Sequence, residues 1–205
     1  MRARNPSEDA GSTKERLISV GRTLLWKKGY NDTGIQEVLK QSGAPKGSFY
    51  HHFKSKEDFG LQVLDRFAAD SLSALDEHLA DSARSPLQRL KTFFEAQRNV
   101  FNEKGCVEGC MVGNFGQELA DTHETFRLRV HLHMQAVVRR IASCLGDAQI
   151  HGELPETFDV DDYADVLFSA WQGAMLRMKV RQSIEPIDVF LRIYFQSGNI
   201  QKSQA

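Results

Sequence analysis

Residues 33–60 read TGIQEVLKQSGAPKGSFYHHFKSKEDFG, and they carry the strongest structural signals in the chain. Its apolar residues at positions 35, 38 and 39 share one face of a helix, which predicts a short helix over residues 35–42. Gly43 then ends that helix, because glycine tolerates the positive φ of a helix C-terminus. Pro45 suits the first turn of a following helix, where the missing amide hydrogen costs little. The stretch therefore predicts two short helices, 35–42 and 45–53, joined by a tight turn.

The second short helix has an apolar side and a polar side. Phe49 and Phe53 are four residues apart, so they share a face and are expected to pack on the core. The outer face is left with basic, polar and aromatic side chains, namely Lys46, Ser48, Tyr50 and His51. A helix, a glycine turn and a short helix with such a face form the pattern of helix-turn-helix DNA-binding proteins. We therefore expect residues 45–53 to enter the major groove of a duplex.

Three further segments carry the signals of helix N-termini. Ser12–Glu15 and Thr33–Gln36 fit the capping box, in which a hydroxyl and a second polar side chain satisfy free backbone amides. Ser55–Asp58 opens a long fourth helix in the same way. Residues 1–11 show no periodicity, so we expect a flexible arm there.

The rest of the chain has the periodicity of amphipathic helices and no alternating strand pattern. Proline and glycine breaks separate stretches of helical length at 86–101, 110–120, 122–145, 160–182 and 187–197. We therefore predict an all-α protein of about nine helices. A three-helix domain with the helix-turn-helix occupies residues 12–60, and a six-helix domain occupies residues 61–205.

Composition and charge are those of a globular protein whose first third binds a polyanion. Residues 1–60 contain 11 Lys and Arg against 7 Asp and Glu, whereas residues 61–205 contain 15 against 20. The basic excess favours nucleic acid as the partner of the first third, although an excess of this size also occurs in proteins that never meet it. With three cysteines, no signal peptide and no apolar run of about 20 residues, we expect a cytoplasmic protein with no membrane contact.

Residues 33–60 resemble the DNA-binding region of TetR-family repressors. The resemblance rests on a threonine at the second helix, the KGSFYHHF recognition helix at 46–53 and the K-x-x-F start of the next helix at Lys56. The C-terminal half is similar, more loosely, to the branch that answers acrylate or reactive electrophiles and oxidants, in GCMVGNFGQE at 109–118 and WQGAMLRMK at 171–179. The resemblance implies a repressor that binds a pseudo-palindromic operator as a homodimer and is released by a small-molecule inducer. It makes residues 61–205 the ligand-binding and dimerisation domain.

Two sets of DNA contacts are expected on this interpretation. Phosphate contacts supply most of the affinity, whereas contacts to base edges select the sequence. The predicted phosphate contacts are Thr33, Tyr50, Lys54 and Lys56. The predicted major-groove contacts are Lys46, Gly47, Ser48 and His51, and for Lys46 a further phosphate contact is equally consistent with the sequence.

The sensor residues are predicted from the C-terminal resemblance and from helical spacing. Trp171, Met175 and Lys179 are four residues apart and share a helix face, and Asn114 is one turn beyond Cys110. We hypothesise that these five residues line an inducer pocket. Lys179 would attract a small carboxylate, or would favour the reactive thiolate of Cys110. Alternatively, Cys110 is an inert buried thiol, Trp171 a core residue and Lys179 a solvated end.

A dimer is expected because one recognition helix reads only a few base pairs. The resemblance places the interface in helices 160–182 and 187–197, where Val166, Leu167, Ala170 and Ala174 offer a face that could equally pack within the monomer.

We expect no cofactor and no metal, because His131 and His133 are two residues apart and so lie on different helix faces. We also expect no enzymatic activity. The alternatives are a thiol-dependent enzyme that uses Cys110, a DNA binder without a ligand, and an activator of the same architecture.

Overall fold

The computed structural model describes residues 6–196 of the chain, with side chains from residue 13 to residue 195. These residues form nine α-helices, and no strand occurs among them. The all-α fold predicted from the sequence is confirmed. The helices are α1 (Pro6–Lys28), α2 (Ile35–Ser42), α3 (Lys46–His52), α4 (Lys56–Leu79), α5 (Pro86–Glu103), α6 (Met111–Leu119), α7 (Glu124–Ile150), α8 (Val160–Arg181) and α9 (Glu185–Leu191), with a π-helical turn at Arg192–Gln196.

Helix α1 begins earlier than the sequence signals indicated. It starts at Pro6, so the prediction of a flexible arm over residues 1–11 is wrong from that residue onwards, and residues 1–5 lie outside the described part of the chain. Proline is favoured in the first turn of a helix because its fixed φ suits the helix and its missing amide hydrogen has no partner there. The segment Ser12–Glu15 falls inside α1 and therefore does not cap its N-terminus.

Helix α2 also begins differently from the prediction. Its N-cap is Gly34, which offers no side chain, and α2 starts at Ile35. The capping box expected at Thr33 is wrong, because the hydroxyl of Thr33 donates a hydrogen bond of 2.7 Å to the carbonyl of Gly29. Thr33 thus closes the turn that follows α1 instead of capping the helix that follows it.

The turn between α2 and α3 and the packing of α3 agree with the sequence. Gly43 ends α2 with a φ of +64°, and Pro45 precedes the first residue of α3. Phe49 and Phe53 are both fully buried, and their ring centroids lie 5.2 and 5.0 Å from that of Phe59 on α4. These three rings fix α3 to the long helix behind it, so the opposite face of α3 stays on the surface.

The chain divides into two compact units. The N-terminal unit contains the residues up to Ala69 together with Asn114–Val130, and the C-terminal unit contains Asp70–Gly113 together with the residues from His131 onwards. This division differs from the predicted boundary at residue 60, because parts of α4, α6 and α7 pack with the first three helices.

The C-terminal unit is built around an aromatic core. The ring centroid of Trp171 on α8 lies 4.9 Å from that of Phe94 and 5.1 Å from that of Phe190. Burial of such rings contributes about 2–3 kcal/mol each to folding. In residues 6–196, no helix combines the length with the apolar composition that crossing a bilayer requires.

Candidate nucleic-acid interface and sensor residues

The outer face of α3 carries most of the predicted DNA contacts. Lys46, Gly47, Tyr50 and His51 are exposed, and 55% of the Tyr50 surface is open to solvent. Ser48 is half-buried on the same helix. The structure therefore brings all five residues predicted on this helix together on a seven-residue rod whose other side is packed on the core.

The positive charge of this face comes from lysines. Partial burial, followed by the charges of His51 and Lys14, holds the pKa of His52 below its ordinary value, so this imidazole is neutral near pH 7. Lys46 stands at the start of α3, and Lys54 is exposed just beyond its end. Two ammonium groups thus flank the helix, at positions suited to the phosphates of a duplex.

The turn between α3 and α4 is fixed by Asp58. Its carboxylate accepts a hydrogen bond of 2.8 Å from the backbone amide of Lys54, and its own amide donates to the hydroxyl of Ser55 at 3.0 Å. A hydrogen bond from Gln62, and then the one from the Lys54 amide, lower the pKa of Asp58. The ionised carboxylate therefore fixes the backbone of Lys54 and leaves its side chain free to reach outward.

Two predicted phosphate contacts have other roles in the structure. Thr33 is 2% exposed and its hydroxyl donates to the carbonyl of Gly29, so a phosphate contact here stays a prediction for the backbone amides at the start of α2 and not for this side chain. The ammonium of Lys56 lies 4.5 Å from the centroid of the Tyr30 ring and donates to the carbonyl of Asn31 at 3.3 Å. Lys56 thus packs within the N-terminal unit, and a phosphate would have to displace these contacts.

The three cysteines differ in environment. Cys110 is half-buried just before α6, and its Sγ accepts a hydrogen bond of 3.4 Å from the amide of Gly113. Cys106 and Cys144 are buried. Burial raises the pKa of the Cys144 thiol to about 12, and the thiol donates to the carbonyl of Pro86 at 3.2 Å. Of the three thiols, Cys110 is the one that a reagent can reach.

The other four predicted sensor residues lie in different environments. Trp171 and Met175 are buried in the core of the C-terminal unit, in the same cluster of buried side chains as Phe94. Lys179 is exposed, and its Cδ lies 3.8 Å from the position that a Cβ on Gly109 would occupy. Asn114 is half-buried and belongs to the N-terminal unit.

Three of the four α8 residues named for a dimer face pack within the monomer, which is the alternative that the sequence left open. Leu167 and Ala174 are buried in the monomer core and Ala170 packs against that core, whereas Val166 is exposed. The exposed apolar residues of α8 are Val166, Leu176 and Val180, and the last two were missed. Together with exposed Gly173, these residues have the spacing of one helix face, which the sequence could have indicated. Buried apolar residues occupy the adjacent face, so apolar character alone does not distinguish the two faces.

Two family models cover most of the chain. Residues 17–63 match the model described as bacterial regulatory proteins of the tetR family, and residues 86–194 match a tetracyclin repressor-like C-terminal domain. The chain belongs to the TetR family. It is therefore a DNA-binding transcriptional regulator, and the family assignment made from residues 33–60 is confirmed.

Curated TetR-family relatives match almost the whole chain. The transcriptional regulator AcuR of Cereibacter sphaeroides is 35% identical over 91% of this chain and 85% of its own length. The HTH-type transcriptional repressor DhaR of a Mycobacterium species is 33% identical over 90% of this chain and 91% of its own length. The repressor NemR of Escherichia coli is 30% identical over 86% of this chain and 88% of its own length.

Solved TetR-family structures share the fold over the same extent. A regulatory protein TetR from Rhodobacter sphaeroides superimposes with a TM-score of 0.83 at 35% identity, over 88% of this chain and 95% of that one. The reduced form of Escherichia coli NemR gives a TM-score of 0.82 at 30% identity, over 92% of this chain and 97% of that one.

Proposed function

We propose that this chain is a transcriptional repressor that binds a pseudo-palindromic DNA operator as a homodimer and is released by a small molecule. The observation that carries the proposal is the exposed outer face of α3, on a helix whose Phe49 and Phe53 are fully buried. Because its target is chromosomal DNA, we place the protein in the cytoplasm.

The proposed DNA contacts follow from the position of each side chain on α3. Lys46, Ser48 and His51 reach base edges, and Gly47 lets the backbone approach the groove closely. Tyr50 donates its hydroxyl to a phosphate. Lys54 neutralises a second phosphate and releases its counterion.

A homodimer supplies the second half of the operator. Helix α3 has seven residues and is about 10 Å long, so one copy contacts only a few base pairs. The exposed stripe of Val166, Leu176 and Val180 on α8 supports a partner helix at this face, because apolar side chains in a row gain free energy when a second copy covers them.

The proposed inducer is an electrophile or oxidant that reacts with Cys110. This thiol is the accessible one of the three, and the stem of Lys179 passes the neighbouring Gly109. A cation on this side chain would attract an unsaturated carboxylate to the neighbourhood of the thiol. The solved structure of Escherichia coli NemR is of a reduced form, which favours an oxidant as a candidate inducer.

We propose a modification target rather than a catalytic nucleophile. The Sγ of Cys110 contacts the backbone amide of Gly113, whereas a catalytic thiol needs a histidine as its base.

The DNA-binding proposal is tested by selecting duplexes from a random library with the purified protein and measuring affinity at several salt concentrations. Lys54→Ala should reduce the salt slope of log K by about 1.8, which is about 0.9 for each of the two phosphate contacts that the homodimer loses. Lys91→Ala on α5 removes the same charge elsewhere and should leave the slope unchanged. A monomeric protein with equal affinity for every duplex would contradict the proposal.

The sensing proposal is tested with N-ethylmaleimide and with hydrogen peroxide on the protein bound to its selected duplex. Both reagents should release the wild type, and mass spectrometry should find the adduct or the oxidised sulfur on Cys110. Cys110→Ser should stay bound. Release of Cys110→Ser at the wild-type reagent concentration would exclude this thiol as the sensor.

A further inference from the structure

The turn between α1 and α2 is fixed by a side chain from far along the chain. The carboxylate of Glu118, near the end of α6, accepts a hydrogen bond of 2.9 Å from the amide of Tyr30 and one of 2.7 Å from the amide of Asn31. Both amides lie just beyond the end of α1, and the carboxylate of Glu118 is the acceptor that the structure gives each of them. Charge-assisted bonds of this kind are about twice as strong as neutral ones.

Gly29 makes room for this carboxylate. Its φ is +84°, and a Cβ built on it would lie 2.6 Å from Oε2 of Glu118, closer than any van der Waals contact allows. The turn therefore needs a residue without a side chain, both for its left-handed backbone and for the approach of Glu118. Two independent features of Gly29 thus serve one contact.

The same turn is held by α4 and α7. The ring of Tyr30 packs edge-on against Phe126 of α7 at 4.9 Å between centroids, and Lys56 of α4 lies over that ring. Gly60 gives the ring space, since a Cβ there would lie 2.8 Å from its Cε2. Within the N-terminal unit, the turn before α2 is therefore fixed by groups from three later helices.

Helix α6 connects this contact covalently to the proposed sensor. It starts at Met111, the residue after Cys110, and Glu118 is its eighth residue, about 10 Å further along the axis. Near its start, Gly113 packs tightly on α8, because a Cβ there would lie 2.9 Å from Oε1 of Gln172. Glu118 thus lies on the same short helix whose first residue follows Cys110 in sequence.

We propose that Glu118 is a positioning residue for operator binding: its carboxylate fixes the α1–α2 turn, and with it the orientation of α2 and α3. The inference rests on the proposed DNA-binding function and adds to it a residue that does not touch DNA. Its acceptor bonds fix the backbone that leads into α2, within the N-terminal unit.

The test compares Glu118→Gln with Glu118→Asp and with the control Glu124→Gln. Glutamine keeps the shape of the side chain but turns one acceptor oxygen into an NH₂ group that faces an N–H donor. Aspartate keeps the charge but is one methylene too short to reach both amides. Glu124 is an exposed residue of α7 that pairs with Arg127 on its own helix, so its substitution removes the same charge without touching the turn.

Affinities for the selected operator and for a random duplex are measured over a range of salt, together with hydrogen exchange of the peptide over residues 29–34. Glu118→Gln should lower operator affinity about tenfold, the equivalent of one charge-assisted hydrogen bond, while random-duplex affinity and the salt slope stay unchanged. Exchange in the peptide should become faster. Glu118→Asp should lie between Glu118→Gln and wild type, and Glu124→Gln should match wild type.

Operator binding by Glu118→Gln within about twofold of wild type would overturn the inference alone. Equal losses on both duplexes with reduced helix content would also overturn it, since Glu118 would then only support folding. If Glu118→Gln does not fold, Glu118→Asp decides by the same criteria. A wild type that prefers no duplex refutes the proposed function and this inference with it, so the two failures are distinguishable.

Discussion

Replacing Phe49 by alanine should detach the recognition helix from the N-terminal unit. Phe49 is fully buried, and its ring centroid lies 5.1 Å from that of Phe53 and 5.2 Å from that of Phe59. Burial of a phenylalanine side chain contributes about 2–3 kcal/mol, and each aromatic pair adds about 0.5–1.5 kcal/mol. Substitutions of buried phenylalanine by alanine cost about 3–5 kcal/mol, so we expect a loss of about 4 kcal/mol.

The loss can be measured in the N-terminal unit by itself, because each unit contains one tryptophan. Trp26 packs on Phe67 in the N-terminal unit, and Trp171 lies in the core of the C-terminal unit. In a Trp171→Phe background, urea unfolding followed by Trp26 fluorescence therefore reports the N-terminal unit. Phe49→Leu is the matched control and should cost about 1 kcal/mol. A loss below about 1.5 kcal/mol for Phe49→Ala would refute the argument that this ring anchors α3.

Three further substitutions or reagents test other parts of the structure. Gly29→Ala should destabilise the N-terminal unit by about 2–4 kcal/mol in the same urea assay, because alanine is strained in the left-handed conformation and its Cβ would displace the carboxylate of Glu118. An unchanged urea midpoint of unfolding would contradict the tight contact. Because the pKa of the Cys144 thiol is about 12, roughly one such thiol in ten thousand is ionised at pH 8. Iodoacetamide should therefore label Cys110 first and Cys144 only in denaturant, and peptide mass spectrometry can show the order. Lys46→Ala should lose about 1–3 kcal/mol of preference for one base pair in a repeated duplex selection, whereas equal losses on selected and random duplexes would make Lys46 a phosphate contact.

Local patterns were enough to predict the DNA-binding helix. The spacing of Phe49 and Phe53, the stop at Gly43 and the proline at 45 all act within one or two helical turns, so the local sequence is enough to predict that α3 forms and which side of it is buried. The structure confirmed their burial and left Lys46 and Tyr50 exposed.

The features that the sequence did not predict depend on interactions that either have two possible partners or join distant parts of the chain. A threonine before a helix can cap it or close the preceding turn, and Thr33 does the second because Gly29 presents a carbonyl 2.7 Å away. On α8, apolar residues occur on the core side and on the surface, so the pattern could not distinguish Leu167 from Val166. The Glu118 contact joins positions 88 residues apart, and no local signal announces it.

The N-terminal unit is discontinuous in sequence, and this has a consequence for synthesis on the ribosome. Residues up to Ala69 emerge long before Asn114–Val130, which supply the carboxylate for the α1–α2 turn and the Phe126 ring that covers Tyr30. The packing of the nascent DNA-binding helices can therefore be completed only after about sixty more residues have been synthesised. A gene fragment that ends after α4 would encode the recognition helix without the segments that orient it.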